Sequence, residues 1–230
     1  MKIDKVFTFG CSFSDYMWKV TKPYGHYVAE KLDCKYIHEG AGCGSNSRIF
    51  RKFFEYLRNG DINKNTLVTL QFTERSRDEI WYNNVLKEDM MSFNGGISYV
   101  EELDNGGIFR YKWDLYELYS DKNLKRIIKD KTDYCYSEEF YTNKTKNIMY
   151  SIIEVCKSKN IPFVIINGDY NDNYEDYKNR EDLKVVNYRD IQRNYPTYFK
   201  ETTDYDYSHI SQEGHNELGK RILNKLELWK

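Results

Sequence analysis

Val6-Phe7-Thr8-Phe9-Gly10-Cys11-Ser12-Phe13-Ser14 begins as a short apolar run, stops at a glycine, and passes into small residues carrying hydroxyl groups. An apolar run of this length closed by a turn residue reads as a buried strand over residues 5–10. The next segments repeat the theme. Residues 24–32 enter through Pro23 and place Tyr24, Tyr27, Val28 and Leu32 on one helical face. A strand at about 35–38 leads into the loop Gly40-Ala41-Gly42-Cys43-Gly44. Ser45 or Asn46 caps a second helix, in which Ile49, Phe50, Phe53, Phe54 and Leu57 form an apolar stripe that ends at Asn59-Gly60. Leu67-Val68-Thr69-Leu70 is the third strand. Strand, helix, strand, helix, strand predicts a parallel sheet with helices on both faces.

The alternation breaks over about 78–136. Asn94-Gly95-Gly96 and Asn105-Gly106-Gly107 are turn signals, and 97–103 with 108–113 predicts a β-hairpin inserted into the α/β core. Trp81, Tyr82, Phe93, Tyr99, Phe109, Tyr111 and Trp113 all fall there. Such a cluster suits a small private core, a subunit contact or a sugar-stacking cleft. Lys122 to Lys131, with Leu124, Ile127 and Ile128 among its charges, reads as an amphipathic turn rather than a nucleic-acid patch. The core pattern resumes with a helix at about 137–158, with Phe140, Ile148, Ile152 and Val155 facing inward. A strand at 162–167, a weaker one at 183–186, and a helix at about 212–228 carrying Leu218, Ile222 and Leu226 complete it.

At 230 residues the chain suits one domain, 1–230. Its net charge of −1 argues against general affinity for nucleic acid or anionic membranes. No stretch has the length and apolarity of a signal peptide or membrane span, so a cytoplasmic chain starting near Met1 is expected. Cys11, Cys34, Cys43, Cys135 and Cys156 are odd in number and lack zinc-type spacing, so reduced thiols and no metal are expected.

Chemistry concentrates at the two ends. Ser12 follows the first strand, at the carboxyl edge where open parallel sheets bind ligands. A serine hydroxyl needs a base, and the base needs an orienting group. Asp206-Tyr207-Ser208-His209 offers both: His209 to take the proton and Asp206 to hold the other ring nitrogen. The loop at 40–44 leaves a strand at the same edge and offers backbone N–H groups to a developing oxyanion. Cys11 is the rival nucleophile, but adjacent residues at a strand end point to opposite sides, which favours a packing role for it. His215 suits a surface or helix-start role, and neither His26 nor His38 has an evident carboxylate partner.

Together these blocks resemble the SGNH/GDSL-type hydrolases. Gly10-Cys11-Ser12-Phe13-Ser14 resembles that family's Gly-Asp-Ser block, with Cys11 in place of Asp. Gly40 to Asn46 resembles the glycine block, and Asp206-Tyr207-Ser208-His209 the Asp-x-x-His block. The resemblance implies a three-layer α/β/α fold of flavodoxin-like type with a five-stranded parallel sheet. It implies an esterase or lipase-like activity without cofactor or metal, on a small-molecule or carbohydrate ester. The implied catalytic residues are Ser12, Asp206 and His209. The oxyanion donors are the N–H groups of Ser12 and of Gly42 and Gly44, with Thr73 or Asn46 adding a side chain.

The third block departs from the family. Its Gly-x-Asn-Asp is replaced by Gln71-Phe72-Thr73-Glu74-Arg75, which aligns Thr73 with the family's oxyanion-binding Asn. Gln71, Arg75 and Arg77 are further donors, and Gly168-Asp169-Tyr170-Asn171-Asp172 resembles the missing motif after the wrong strand. A silent binding module built on the same fold, and an acyltransferase using the same serine, are the competing readings.

Overall fold

A computed structural model describes residues 2–11, 14, 16, 20–41, 44–73, 77–83, 99–103, 106–112, 122–135, 137–167, 180–195 and 209–227. In chain order its elements begin β1 (Lys5–Gly10), α1 (Tyr24–Leu32), β2 (Lys35–Gly40), α2 (Asn46–Arg58) and β3 (Thr66–Leu70). Next come β4 (Arg77–Asn83), β5 (Tyr99–Leu103), β6 (Gly106–Lys112), α3 (Lys122–Cys135) and α4 (Glu138–Ser158). The chain closes with β7 (Phe163–Asn167), β8 (Val185–Asn187), α5 (Tyr188–Asn194) and α6 (Gln212–Glu227).

Five strands form one sheet in the order β2-β1-β3-β7-β8, every pair parallel. Side chains alternate across it, so each strand feeds two cores. Phe7, Phe9, Val68, Leu70, Phe163 and Ile165 meet Ile49 and Phe53 of α2 and Met149, Ile152 and Ile153 of α4. On the opposite face, Val6, Leu67, Val164 and Ile166 meet Tyr24 and Val28 of α1, Ile191 of α5, and Leu218 and Ile222 of α6. The buried, mostly apolar runs of β1, β3 and β7 follow from this, because both faces are covered. The fold is therefore the α/β/α arrangement with a five-stranded parallel sheet that the alternation predicts.

Helix ends agree with local sequence. Ser45 accepts a hydrogen bond from the Arg48 N–H at 3.1 Å and caps α2. Gly60 follows that helix at φ +80°, where a Cβ would be strained. Phe53 anchors α2 to the sheet: it is fully buried and lies edge-on to Phe9, with ring centroids 6.0 Å apart. Phe53→Ala is expected to cost about 3–5 kcal/mol of unfolding free energy in urea titration. A loss under about 1 kcal/mol would mean that α2 is not seated as described.

Three expectations are corrected. Phe140 does not face the core; it is 57% exposed. The inward row of α4 runs through Tyr141, Thr145, Met149, Ile152 and Cys156, one residue out of phase with it. Lys122–Lys131 belongs to a fourteen-residue helix, α3, whose Ile128 is fully buried. The inserted hairpin is the β5–β6 pair, and β4 joins it as a third antiparallel strand in the order β4-β6-β5. The short helix α5 has no signature in the sequence, since seven residues are too few to display a period. Asn94-Gly95-Gly96, Phe93 and Trp113 lie outside the described residues.

The small sheet is tied to the main body by charge. Asp78 on β4 is buried and accepts hydrogen bonds from Lys144 Nζ at 3.0 Å, Lys131 Nζ at 3.1 Å and Ser47 Oγ at 3.1 Å. Burial opposes its charge, but Lys131 and Lys144 outweigh burial and hold the carboxyl below the usual carboxylate range. Glu79 pairs with Arg51 of α2 at 3.1 Å. The insertion therefore sits against α2 and α4 through ion pairs that link four elements.

Candidate active site

The strand order reverses at β1: β2 pairs on one side of it and β3 on the other. In open parallel sheets, ligands bind at the carboxyl ends of the strands beside such a reversal. Ser12, Gly42 and Asp206 lie outside the described residues, as do Arg75 and Gly168 to Asp172. Their neighbours define the surroundings. The Ser14 N–H donates to the Cys11 carbonyl at 2.9 Å. Ser14 is fully buried; its Oγ lies 2.9 Å from Tyr24 Oη and donates to Gln71 Oε1. Cys11 is 1% exposed and packs in the core on the α1 side.

The glycine block meets this turn. The Ala41 N–H donates to the Gly10 carbonyl at 3.4 Å. A Cβ on Gly44 would lie 2.7 Å from that same carbonyl oxygen and 2.9 Å from the Ala41 oxygen. Only glycine admits so close a backbone approach, which is the physical content of the motif. Arg48 braces the loop from below, donating to the Glu39 carbonyl at 2.7 Å and to Glu39 Oε2 at 2.8 Å.

The side chains nominated for the oxyanion separate into two groups. Asn46 is buried and clips the Thr73 backbone: its Oδ1 accepts from the Thr73 N–H at 2.8 Å, and its Nδ2 donates to the Thr73 carbonyl at 2.9 Å. Its Nδ2 also reaches Thr145 Oγ1 at 3.4 Å. The Gly44 N–H donates to the Ala41 carbonyl at 2.8 Å. Both are engaged in holding loops. Thr73 is thereby fixed at 4% exposure just beyond β3. Gln71, two residues earlier, is fully buried; its N–H donates to the Phe9 carbonyl at 2.9 Å, which sets it beside the end of β1. Arg77 begins β4, opposite Lys112.

His209 is half-buried just before α6, with Nε2 shielded from water. The start of α6 is stitched to the chain that follows the candidate nucleophile. Gln212 Oε1 accepts from the Thr21 and Lys22 N–H groups, each at 3.0 Å, and its Nε2 donates to the Lys22 carbonyl at 2.7 Å. His215, one helical turn on, accepts the Tyr24 N–H on Nδ1 at 3.2 Å and stacks on the Tyr24 ring. His215 is at the helix start but not on the surface, being 2% exposed. Burial first, and then the charges of His209 and His38, lower its pKa to about 3. The Gln212 and His215 spacing, three residues along one helix, was the available signal for this clamp.

His38 lies 2.9 Å from Tyr36 Oη through Nδ1, and His26 has a carboxylate neighbour in Glu30 at 3.5 Å. Among the described residues no helix is long and apolar enough to cross a membrane.

No protein-family model matches the chain, and no curated protein matches it in sequence. Its architecture does match solved structures. A protein assigned to the lipolytic G-D-S-L family from Desulfitobacterium hafniense is 8% identical over 96% of this chain and 98% of that one, with a TM-score of 0.51. A catalytic mutant of an acetylxylan esterase from Geobacillus stearothermophilus is 15% identical over 98% of this chain and 96% of that one, with a TM-score of 0.50. At such identities the likeness is one of fold: the chain has the fold of the SGNH/GDSL hydrolases.

Proposed function

We propose that this chain, built on the fold of the SGNH/GDSL hydrolases, is a serine-dependent ester hydrolase that removes a short acyl group from a carbohydrate or other small alcohol. One juxtaposition carries the reading. The end of β1, which Ser12 follows in sequence, and the glycine loop touch through Gly10, Ala41 and Gly44, at the edge where the strand order reverses. The acetyl group is favoured because the acetylxylan esterase shares the fold over nearly its full length.

In this mechanism Ser12 Oγ attacks the ester carbonyl while His209 takes its proton. Asp206 holds the imidazole in the required tautomer. The tetrahedral oxyanion is received by the N–H groups of Ser12 and Gly42, with the Thr73 hydroxyl beside them. Gly44 and Asn46 act as positioning residues, since their N–H groups already hold Ala41, Thr73 and Thr145. Collapse breaks the carbon–oxygen bond to the alcohol, which leaves with the proton from His209. Water then attacks the acyl-enzyme, His209 again serving as base, and the acid is released.

A fluorophosphonate probe tests this directly. Wild-type protein is expected to be labelled and to release chromophore from p-nitrophenyl acetate, and Ser12→Ala to lose both. An unlabelled wild-type protein without esterase activity would overturn the proposal and favour a silent binding module.

A further inference from the structure

We propose that Gln71 supplies a side-chain amide donor to the oxyanion of this site, beside the Thr73 hydroxyl, with Ser14 and Tyr24 aligning it. This rests on the serine-hydrolase reading above, and assigns the role that the departed third block leaves open. Gln71 is fully buried, and its Nε2 has no hydrogen-bond partner and almost no contact with water. An amide NH2 in that state is costly unless an acceptor arrives in function, so the orphaned group needs an explanation.

Three observations supply one. The first is place. Gln71 follows β3 directly, and its backbone bond to Phe9 sets it beside Gly10, whose missing Cβ would lie 3.2 Å from Gln71 Cβ. The side chain therefore stands against the strand end from which Ser12 departs. The second is orientation. Ser14 Oγ donates to Gln71 Oε1, and Tyr24 Oη lies 2.9 Å from Ser14 Oγ. With the Tyr24 hydroxyl as donor, the chain runs Tyr24 to Ser14 to the Gln71 carbonyl. The amide is held with its oxygen engaged and both hydrogens unpartnered. Each bond in such a chain polarises the next, which makes the terminal NH2 a stronger donor.

The third is the state of the competing donors. Asn46 is engaged by the Thr73 backbone and by Thr145. Burial raises the Tyr24 pKa well above the ordinary phenol value, so its hydroxyl keeps its proton and the relay does not change sign with pH. A neutral, buried, prealigned donor at a water-poor site is the arrangement that stabilises developing negative charge without reorganising. The Ser14 hydroxyl thereby acquires a purpose: it is a positioning residue for Gln71.

Three variants test this, with Ser12-dependent labelling of the wild type as the reference. Gln71→Met keeps the side-chain length but removes both hydrogens. Its kcat on p-nitrophenyl acetate is expected to fall about 10²- to 10³-fold with KM changed less than about threefold. Its rate of fluorophosphonate labelling is expected to fall in parallel. Ser14→Ala, which leaves Gln71 present but unaligned, is expected to lose about tenfold in kcat at unchanged KM. Tyr24→Phe is expected to lose less than Ser14→Ala. If Gln71→Met folds and retains kcat, the assignment is wrong while the esterase reading stands. If Gln71→Met does not fold, Ser14→Ala decides, and an unchanged kcat there overturns it. A wild-type protein without Ser12-dependent labelling ends the underlying reading and this one with it.

Discussion

Replacing His209 with alanine is expected to lower kcat for a chromogenic acetate ester about 10⁴- to 10⁶-fold, with KM nearly unchanged. A serine hydroxyl near neutral pH is almost wholly protonated, so without a base the attack must proceed through a small fraction of alkoxide. In the proposed mechanism His209 is that base. It sits just ahead of α6, and α6 is pinned by Gln212 and His215 to residues 21–24, which follow the candidate nucleophile. Added imidazole is expected to restore part of the rate in His209→Ala and none in Ser12→Ala. Equal activity of wild type and His209→Ala would remove the histidine from the mechanism, whatever the probe labels.

The second large effect concerns stability. His215 is buried with its pKa lowered to about 3, whereas the unfolded chain titrates near 6.5. Between those values the unfolded state binds the proton and the folded state does not, so folding weakens as pH falls. The contribution is complete above about pH 6.5 and declines by about 1.4 kcal/mol per pH unit toward pH 3. Protonation would also cancel the acceptor that holds the Tyr24 N–H. His215→Gln keeps an acceptor but cannot titrate. Its unfolding free energy is expected to be flatter than wild type between pH 6 and 4 by about that slope, as urea titration would measure. Parallel curves for the two proteins would contradict a neutral, buried His215.

That histidine illustrates how far reading the chain could go. A histidine six residues beyond another suggests no ligand pair, and nothing local separates a solvated ring from one packed on Tyr24. Its burial depends on α6 docking against α1, a contact between residues nearly two hundred apart. Phe140 failed for a related reason. In a helix as long as α4, apolar residues fall on more than one face, and the face that is buried is chosen by the sheet below it. Asn46 was legible as polar and near the glycine loop. Its clip on Thr73 depends on β3 running beside β1, which brings the start of α2 to the loop after β3.

The five parallel strands of the main sheet and the helices α1, α2, α4 and α6 were readable along the chain, whereas β4 and α5 were not. Each rests on short-range pattern: apolar runs of five or six residues, a cap at Ser45, glycine at the turns. The residue types of a nucleophile, base and acid were readable in the same way, because they stand in compact motifs. The state of the side chains around them was not. Whether an amide is engaged, as in Asn46, or left open, as in Gln71, depends on which loops converge at the carboxyl edge. Hydrogen-bond satisfaction joins residues that sequence separates, such as Tyr24, Ser14 and Gln71, so it exists only once the chain has closed upon itself.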